Sequence, residues 1–564
     1  MGEITRRNGG QILVDALRVH GTDTAFCVPG ESFLPVLDAL HGARDEVRLV
    51  VCRQEGGAAH MAEAYGKLTG QPGICFATRG PGASNASIGV HTAAQDSTPM
   101  VLFIGQVGTD ALEREAWQEV DFRRMFGGMA KWATQIERAD RIPEVVARAF
   151  QTAGSGRPGP VVVALPEDVL FDEVEVGDTR RYSPVQAHPG TADLERLRSL
   201  LADAERPFVL LGGGGWDAGA CERIRAFIEA ADLPVGCTFR RQDLLDNHHP
   251  NYVGDVGLGI NPDLARRIRE ADLVLAIGPR LGATTTSGYT LIESPTPRQT
   301  LVHVHADPDE LGRVYQAELM INAGMREFAE VAERAVPPGA GGRWAAWTEA
   351  AREDYRREIR HAAMPGPLDL GEVMAHLRET LPRDTIVTNG AGNYTLWVHR
   401  FYRYGGFRTQ LAPTSGAMGY GVPAALAAKL VHPEREAVCF AGDGCFLMNG
   451  QELATAVQYG LDVLFIVINN GMYGSIRMHQ EKRYPGHVHG TALTNPDFVA
   501  LANAYGVHAE AVVETDAFAA ALERARAVEG PALLELRIDA EAITPRTTLS
   551  ALRDRAMASG SGGA

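Results

Sequence analysis

Short apolar runs bounded by glycine, proline and polar clusters recur along the whole chain, and stretches of helical period separate them. "TAFCVPG", "VRLVV", "GICFAT", "MVLFIGQ" and "GPVVVALP" lie in the first third, "RPFVLLGGGG", "LPVGCTF", "ADLVLAIG" and "TLVHVHAD" in the middle, and Ala437–Ala441 and Val463–Ile468 in the last. These runs are continuously apolar, as expected of parallel strands covered on both faces by helices. Helices are expected over 10–20, from Glu55 onward and over Asn449–Gln458. The pattern predicts an α/β protein of three doubly wound parallel-sheet domains at 1–180, 190–335 and 365–545. Two linkers separate them, "TRRYSPVQAHPGTAD" and the stretch from "AVPPGAGGR" to "MPGPLDL", and a tail follows at 546–564.

The length of 564 residues agrees with about three domains. With 54 basic against 70 acidic residues the formal net charge is −16, which opposes general nucleic-acid binding. No apolar run is long enough to span a bilayer, so no membrane association is expected. The N-terminal stretch turns into an amphipathic helix rather than a signal-peptide core. Seven cysteines without metal-ligand spacing read as reduced core thiols of a cytoplasmic protein.

The candidate chemistry sits in the last domain. Strand 437–441, helix and strand 463–468 form a right-handed crossover, so Asp443, of Gly442-Asp443-Gly444, and Asn469-Asn470 emerge at the same carboxyl edge of a parallel sheet. Open α/β sheets bind ligands at that edge. A carboxylate and an amide oxygen are hard donors that suit Mg²⁺ shared with ligand phosphates, and Gly442 and Gly444 let the backbone approach those phosphates. Taken alone, each half also reads as a glycine turn or an Asn-Asn-Gly loop without metal.

With 24 residues between them, GDG and NN resemble the thiamine diphosphate (ThDP) motif. Over residues 8 to 550 the chain resembles the acetolactate synthase superfamily of ThDP enzymes, a group that includes benzoylformate decarboxylase and the CoA-dependent oxalyl-CoA decarboxylase and 2-hydroxyacyl-CoA lyase. The motifs are "RQEGGAAHMAEAYGKLTG" (53–70), "TRGPGASN" (78–85), "DSTPMVLFIGQV" (96–107), "WQEVDF" (117–122), "GRPGPVVVALPEDV" (156–169) and "SGAMGYGVPAAL" (415–426). The resemblance implies a pyrimidine-binding domain, a central Rossmann-like domain and a diphosphate-binding domain. It also implies a homodimer or homotetramer in which the cofactor lies between the first domain of one subunit and the third of another.

The resemblance also distributes roles. Glu55 would hold a proton on the aminopyrimidine ring of the cofactor, and Gln118 would face its thiazolium. Met418 would be the apolar wedge under the folded cofactor, with the backbone carbonyl of Gly416 accepting from its amino group. Gly392, Asn393 and Tyr394 would bind the diphosphate together with Gly442, Gly444 and Tyr473, although relatives usually carry glutamine and histidine where Asn393 and Tyr394 stand. Asp443, Asn470 and the backbone oxygen of Met472 would hold Mg²⁺. Outside the motif, Glu55 reads as a helix-start carboxylate, Met418 as core filler and Gln118 as a surface amide.

The reaction is less sharply marked. "PRLGATTTSG" (279–288) lacks the acidic pair and second arginine of the synthases' "RFDDR", which argues against FAD. Arg280-Leu281 instead resembles the "RLNW" of CoA lyases, leaving an ADP or CoA nucleotide open for the middle domain. After "NNGMYGSIR" (469–477), His479 and Glu481 are placed to handle a carbinol proton, or else to form a solvated helix end. The expectation is a 2-hydroxyacyl-CoA lyase-like enzyme giving a carbonyl compound and formyl-CoA, with an acetolactate synthase-type carboligase or 2-oxo acid decarboxylase as the alternative. The substrate would be an acyl-CoA or a 2-oxo acid. A nicotinamide oxidoreductase is a further reading, from Gly213, Gly215 and Ala218 in "LLGGGGWDAG". In the tail, Leu549 and Leu552 between Arg546 and Arg553 read either as a packed helix or as a lid whose arginines meet anionic substrate, and the Gly/Ser end is expected to be disordered.

Overall fold

The computed structural model describes residues 5–559, so the Gly/Ser end at 560–564 lies outside the described residues. The described residues hold three six-stranded sheets, in each of which every pair of neighbouring strands is parallel. This is the three-domain α/β architecture expected from the apolar runs. The chain divides into two compact units, 1–187 and 188–564.

The first sheet comprises β1 (Thr24–Cys27), β2 (Arg48–Val51), β3 (Gly73–Ala77), β4 (Met100–Gln106), β5 (Trp132–Gln135) and β6 (Pro160–Pro166), in the order 2-1-3-4-6-5. Two helices matter for function here, α1 (Glu55–Thr69) and α2 (Gly80–Asp96). A short antiparallel pair, Thr5–Asn8 with Glu173–Val176, closes this unit.

The second sheet comprises β7 (Pro207–Leu211), β8 (Val235–Thr238), β9 (Tyr252–Val256), β10 (Leu273–Ile277), β11 (Thr300–His305) and β12 (Leu319–Asn322). Its order is β9-β8-β7-β10-β11-β12, that of the Rossmann fold. Alternate residues of β7 enter different cores: Val209 and Leu211 pack on one face of the sheet, Phe208 and Leu210 on the other. Helix α3 (Ala218–Ala231) follows β7. The linker beyond this sheet contains α4 (Ala345–Glu358), anchored to the middle domain by Trp344 Nε1 on Ala204 O and Trp347 Nε1 on Pro207 O, 3.1 and 3.0 Å.

The third sheet opens after α5 (Leu370–Thr380) and comprises β13 (Ile386–Asn389), β14 (Gln410–Leu411), β15 (Ala437–Gly442), β16 (Val463–Asn469), β17 (His508–Val512) and β18 (Ala532–Arg537). Its order, β14-β13-β15-β16-β18-β17, repeats the 2-1-3-4-6-5 order of the first sheet. The chain winds outward in both directions from between β13 and β15, so their carboxyl ends frame a crevice at the topological switch point. The single helix expected over 449–458 is instead a short helix Asp443–Phe446, a tight turn Gly450–Glu452 and a helix Leu453–Gln458. Asn449 interrupts it: its side chain donates to Gly419 O at 3.0 Å and its backbone is not helical (φ −139°). Two further helices follow, α6 (Gly474–Arg483), which starts in the crevice, and α7 (Leu549–Ala558), which packs against α6.

Candidate active site

At the switch point of the third sheet lies a pocket of about 210 Å³. Loops after β13, β15 and β16 supply Gly392, Asn393, Tyr394, Gly442, Asp443 and Gly444, then Asn470, Met472 and Tyr473; Gly416 and Met418 complete the set singled out from this part of the sequence. Residues from Gly392 to Tyr473 thus reach one cavity because all their strands end at the same edge.

Asp443 is buried and follows directly on β15. Its Oδ1 accepts from Gly444 N at 2.8 Å, and its Oδ2 accepts from Gly471 N at 2.9 Å and Asn495 Nδ2 at 2.8 Å. Burial pushes this carboxyl above the ordinary range, while the donors from Asn495, Gly444, Gly471 and Met472 pull the other way. A carboxylate offers about four lone-pair sites, so these bonds leave room for a cation, and a divalent ion would restore the charged form that burial opposes. Among the described residues Asn470 Oδ1 accepts only Met472 N, at 3.2 Å. The donor set therefore fits a hard divalent metal shared with a phosphate ligand.

The two asparagines have separate tasks because successive strand residues face opposite ways. Asn470 lines the pocket, whereas Asn469 donates to the buried Glu535 at 2.7 Å and accepts from Asn495 at 2.9 Å. Asn495, which sequence reasoning missed, bridges Asp443 and Asn469. It sits in an ordinary Asn-Pro turn that carries no chemical signal of its own.

Asn393 and Tyr394 act differently from a side-chain diphosphate clamp. The Tyr394 ring forms the floor under the glycines, since a Cβ at Gly392 or Gly442 would lie 2.9 or 3.0 Å from it, and its hydroxyl turns inward to accept Gly390 N at 3.0 Å. Gly392 at φ +148° is a conformation that tyrosine or asparagine would strain. Asn393 accepts from Ser475 Oγ at 2.8 Å and donates to Ile543 O at 3.0 Å, tying the start of α6 to the C-terminal segment.

On α6, Glu481 corrects the expectation of a proton-handling pair. It is buried outside the pocket lining, and Arg553 and Arg477 hold its carboxyl down at about 2, with Gly486 N donating at 2.9 Å. His479 stands on the exposed face of α6, three residues beyond Ile476 at the pocket rim. Partial burial, Lys482 and Arg483 lower its pKa.

The tail arginines also differ from the lid reading. Arg553 pairs with Glu481, and Arg546 donates to Gly259 O and Ile260 O and pairs with Glu358. Leu549 and Leu552 pack with Met478 and Ile543, and it is Ala542 and Ile543 that wall the pocket.

In the first unit, Glu55 opens α1 and is 9% exposed. Its Oε2 accepts from Asn85 Nδ2 at 2.9 Å, and a Cβ on Gly82 would lie 3.1 Å from its Oε1. Gly89 permits this approach: a Cβ there would lie 2.3 Å from that of Ala59, so α1 and α2 cross in direct contact. Gln118, at φ +65°, accepts Gly80 N at 3.0 Å, which brings it to the same first turn of α2.

The nicotinamide reading fails on α3. Asp217 caps that helix, accepting from Ala220 N at 2.7 Å and pairing with Arg326 at 2.5 Å, so a carboxylate stands where a pyrophosphate would bind. The buried Trp216 closes the turn, donating to Gly212 O at 2.8 Å. In the middle domain Leu281 is buried at φ +50°, while Arg280 at its side is half-buried.

The fold and the pocket define a ThDP-binding enzyme. Family models of the thiamine pyrophosphate enzyme match in order: the N-terminal TPP binding domain over 7–125, the central domain over 194–331 and the C-terminal TPP binding domain over 390–536. The chain is 32% identical to the acetolactate synthase isozyme 2 large subunit of Escherichia coli, covering 94% of this chain and 96% of that one. It is 33% identical to the acetolactate synthase large subunit of Parasynechococcus marenigrum over 94% and 87%, and 31% identical to the acetolactate synthase of Arthrospira platensis over 95% of each. The chain belongs to the acetolactate synthase superfamily of ThDP-dependent enzymes. All seven cysteines are buried and, among the described residues, none forms a disulfide and no helix is long and apolar enough to cross a membrane.

Proposed function

We propose that the chain is a Mg²⁺- and ThDP-dependent carboligase of the acetolactate synthase type, joining two 2-oxo acids with loss of carbon dioxide. The observation that carries this reading is end-to-end similarity to proteins named acetolactate synthase, covering 94% of the chain and 96% of one relative. It is supported by the position of Glu481, whose ion pairs remove the carboxylate on which the 2-hydroxyacyl-CoA lyase reading relied.

When bound, ThDP supplies an acidic thiazolium carbon that adds to a carbonyl and stores the electron pair of the broken C–C bond. Asp443, Asn470 and the Met472 carbonyl would hold the metal and so the diphosphate, and the glycine-rich edge over Tyr394 would let the backbone close on it. Met418 would give the cofactor apolar support. Glu55, buried and oriented by Asn85, would hold the proton on the pyrimidine nitrogen, and Gln118 would orient the reacting group. The exposed His479, three residues beyond Ile476 at the pocket rim, favours one second reading, in which it exchanges the carbinol proton of a 2-hydroxyacyl thioester.

The test is product analysis of holoenzyme offered 2-oxo acids and, separately, 2-hydroxyacyl-CoA thioesters. Acetolactate-type products support the carboligase, and formyl-CoA with an aldehyde or ketone would replace it by the lyase. The active unit is at least a homodimer, as in the family; full activity in a sedimenting monomer would contradict that.

A further inference from the structure

Apart from the cofactor pocket, a cavity of about 410 Å³ lies between the end of α4, the helix α5 and the segment around Phe401. Its charged lining is one-sided. Arg356, Arg360, Arg378 and Arg403 line it together with His361, and no carboxylate does.

Only Arg356 has short acidic partners, Glu349 at 2.6 Å and Glu353 at 3.2 Å. Arg378 has only long contacts, 3.5 Å to Phe401 O and 3.9 Å to Glu379. The Nε of Arg403 is buried without a hydrogen-bond partner among the described residues. Arg360 is exposed and makes no side-chain hydrogen bond or ion pair among the described residues. Burial and the charge of Arg403 lower the pKa of both Arg378 and Arg352, the latter a buried neighbour. Like charges brought together in partly buried space with few close counter-charges are unfavourable, and an anion seated among them relieves that cost.

The wall is shaped as well as charged. His361 lies so close to α5 that a Cβ on Gly371 would stand 2.1 Å from its ring, and its Nε2 is 3.0 Å from Asp369 Oδ1. Asp369 accepts from Gly371 N at 2.7 Å and Met364 N at 2.8 Å, so its carboxylate serves as the α5 cap. With Glu372 these side chains have metal-ligand spacing, but the capping bonds account for Asp369 without a metal. Ile359, Ala375 and Phe401 make the apolar part of the lining.

We propose that this cavity binds a phosphate-bearing small molecule of nucleotide size, with its phosphate between Arg360, Arg378 and Arg403 and its carbon body on Ile359 and Ala375. Guanidinium groups match phosphate oxygens in paired hydrogen bonds, and the volume lies in the range of small-molecule sites. The ligand would be a phosphate ester with an organic body, such as a nucleoside diphosphate, and the site is separate from the pocket at Asp443.

The test is calorimetry on full-length holoenzyme saturated with ThDP and Mg²⁺, titrated with ADP or inorganic phosphate. One equivalent of ADP should bind, and more tightly than inorganic phosphate because the apolar wall holds its carbon body; equal affinity for the two would overturn the nucleotide-sized ligand. Arg360→Glu and Arg378→Ala should each weaken binding by about tenfold or more, with ThDP affinity unchanged. Arg360→Glu breaks no side-chain hydrogen bond or ion pair among the described residues, so it decides the matter even if Arg378→Ala fails to fold. Absence of binding to the wild type at millimolar ligand, binding that survives Arg360→Glu, or displacement of ADP by added ThDP would each overturn the proposal.

Discussion

Glu481 accepts two hydrogen bonds from Arg553, at 2.9 and 2.5 Å, and thereby ties α6 to α7 across 72 residues of sequence. Arg477, one turn earlier on α6, completes the cluster at 2.5 Å. Because α6 begins in the pocket at Gly474, Ser475 and Ile476, this buried carboxylate braces the helix that walls the cofactor site.

Glu481→Gln should therefore lower stability at pH 7 by about 2 to 4 kcal/mol, the range for breaking a buried pair with a partly exposed partner. The sign with pH follows from a carboxyl held at about 2. Its stabilisation is full above the ordinary glutamate value of about 4.3 and is lost as pH falls through the folded value. Denaturant melts of both proteins should differ most near neutrality and converge toward pH 2. An unchanged gap at low pH would show that the charge is not what stabilises the contact.

Asp443→Ala should abolish retention of ThDP in the presence of Mg²⁺. Its carboxylate is the only one lining the pocket among the described residues, and without it the diphosphate loses its link through the metal. Calorimetry on folded variant checks this, and wild-type affinity would remove the metal assignment.

Glu55→Gln should bind ThDP but exchange the thiazolium proton more slowly, by about 100-fold or more, since an amide cannot relay the pyrimidine proton. Asn85 can still bond the amide, so folding should be preserved. Hydrogen–deuterium exchange followed by NMR reports the rate; exchange at the wild-type rate would leave Glu55 without its activating role.

Much of this protein was legible before any fold was known. Continuous apolar runs such as "MVLFIGQ" and "GPVVVALP" can only be strands covered on both sides, and they became β4 and β6, buried at every position. The spacing of Gly442-Asp443-Gly444 and Asn469-Asn470 placed both at one sheet edge, since parallel strands joined by a right-handed crossover leave no other arrangement. Local order along the chain determined those features.

The tertiary structure decided what pairs of distant residues do. Which asparagine faces the pocket depends on strand register against β18, where Asn469 stands opposite Arg537 and its side chain reaches Glu535 two residues earlier. Tyr394 became a floor because its hydroxyl finds Gly390 N, and Asn393 a tie because Ile543, 150 residues away, brings its carbonyl within reach. Glu481 looks like a solvated helix end until Arg553 folds back onto it. A short motif specifies its own backbone path, but the partner that neutralises a buried charge or satisfies a buried amide comes from a remote segment, and only the packed chain brings that segment there.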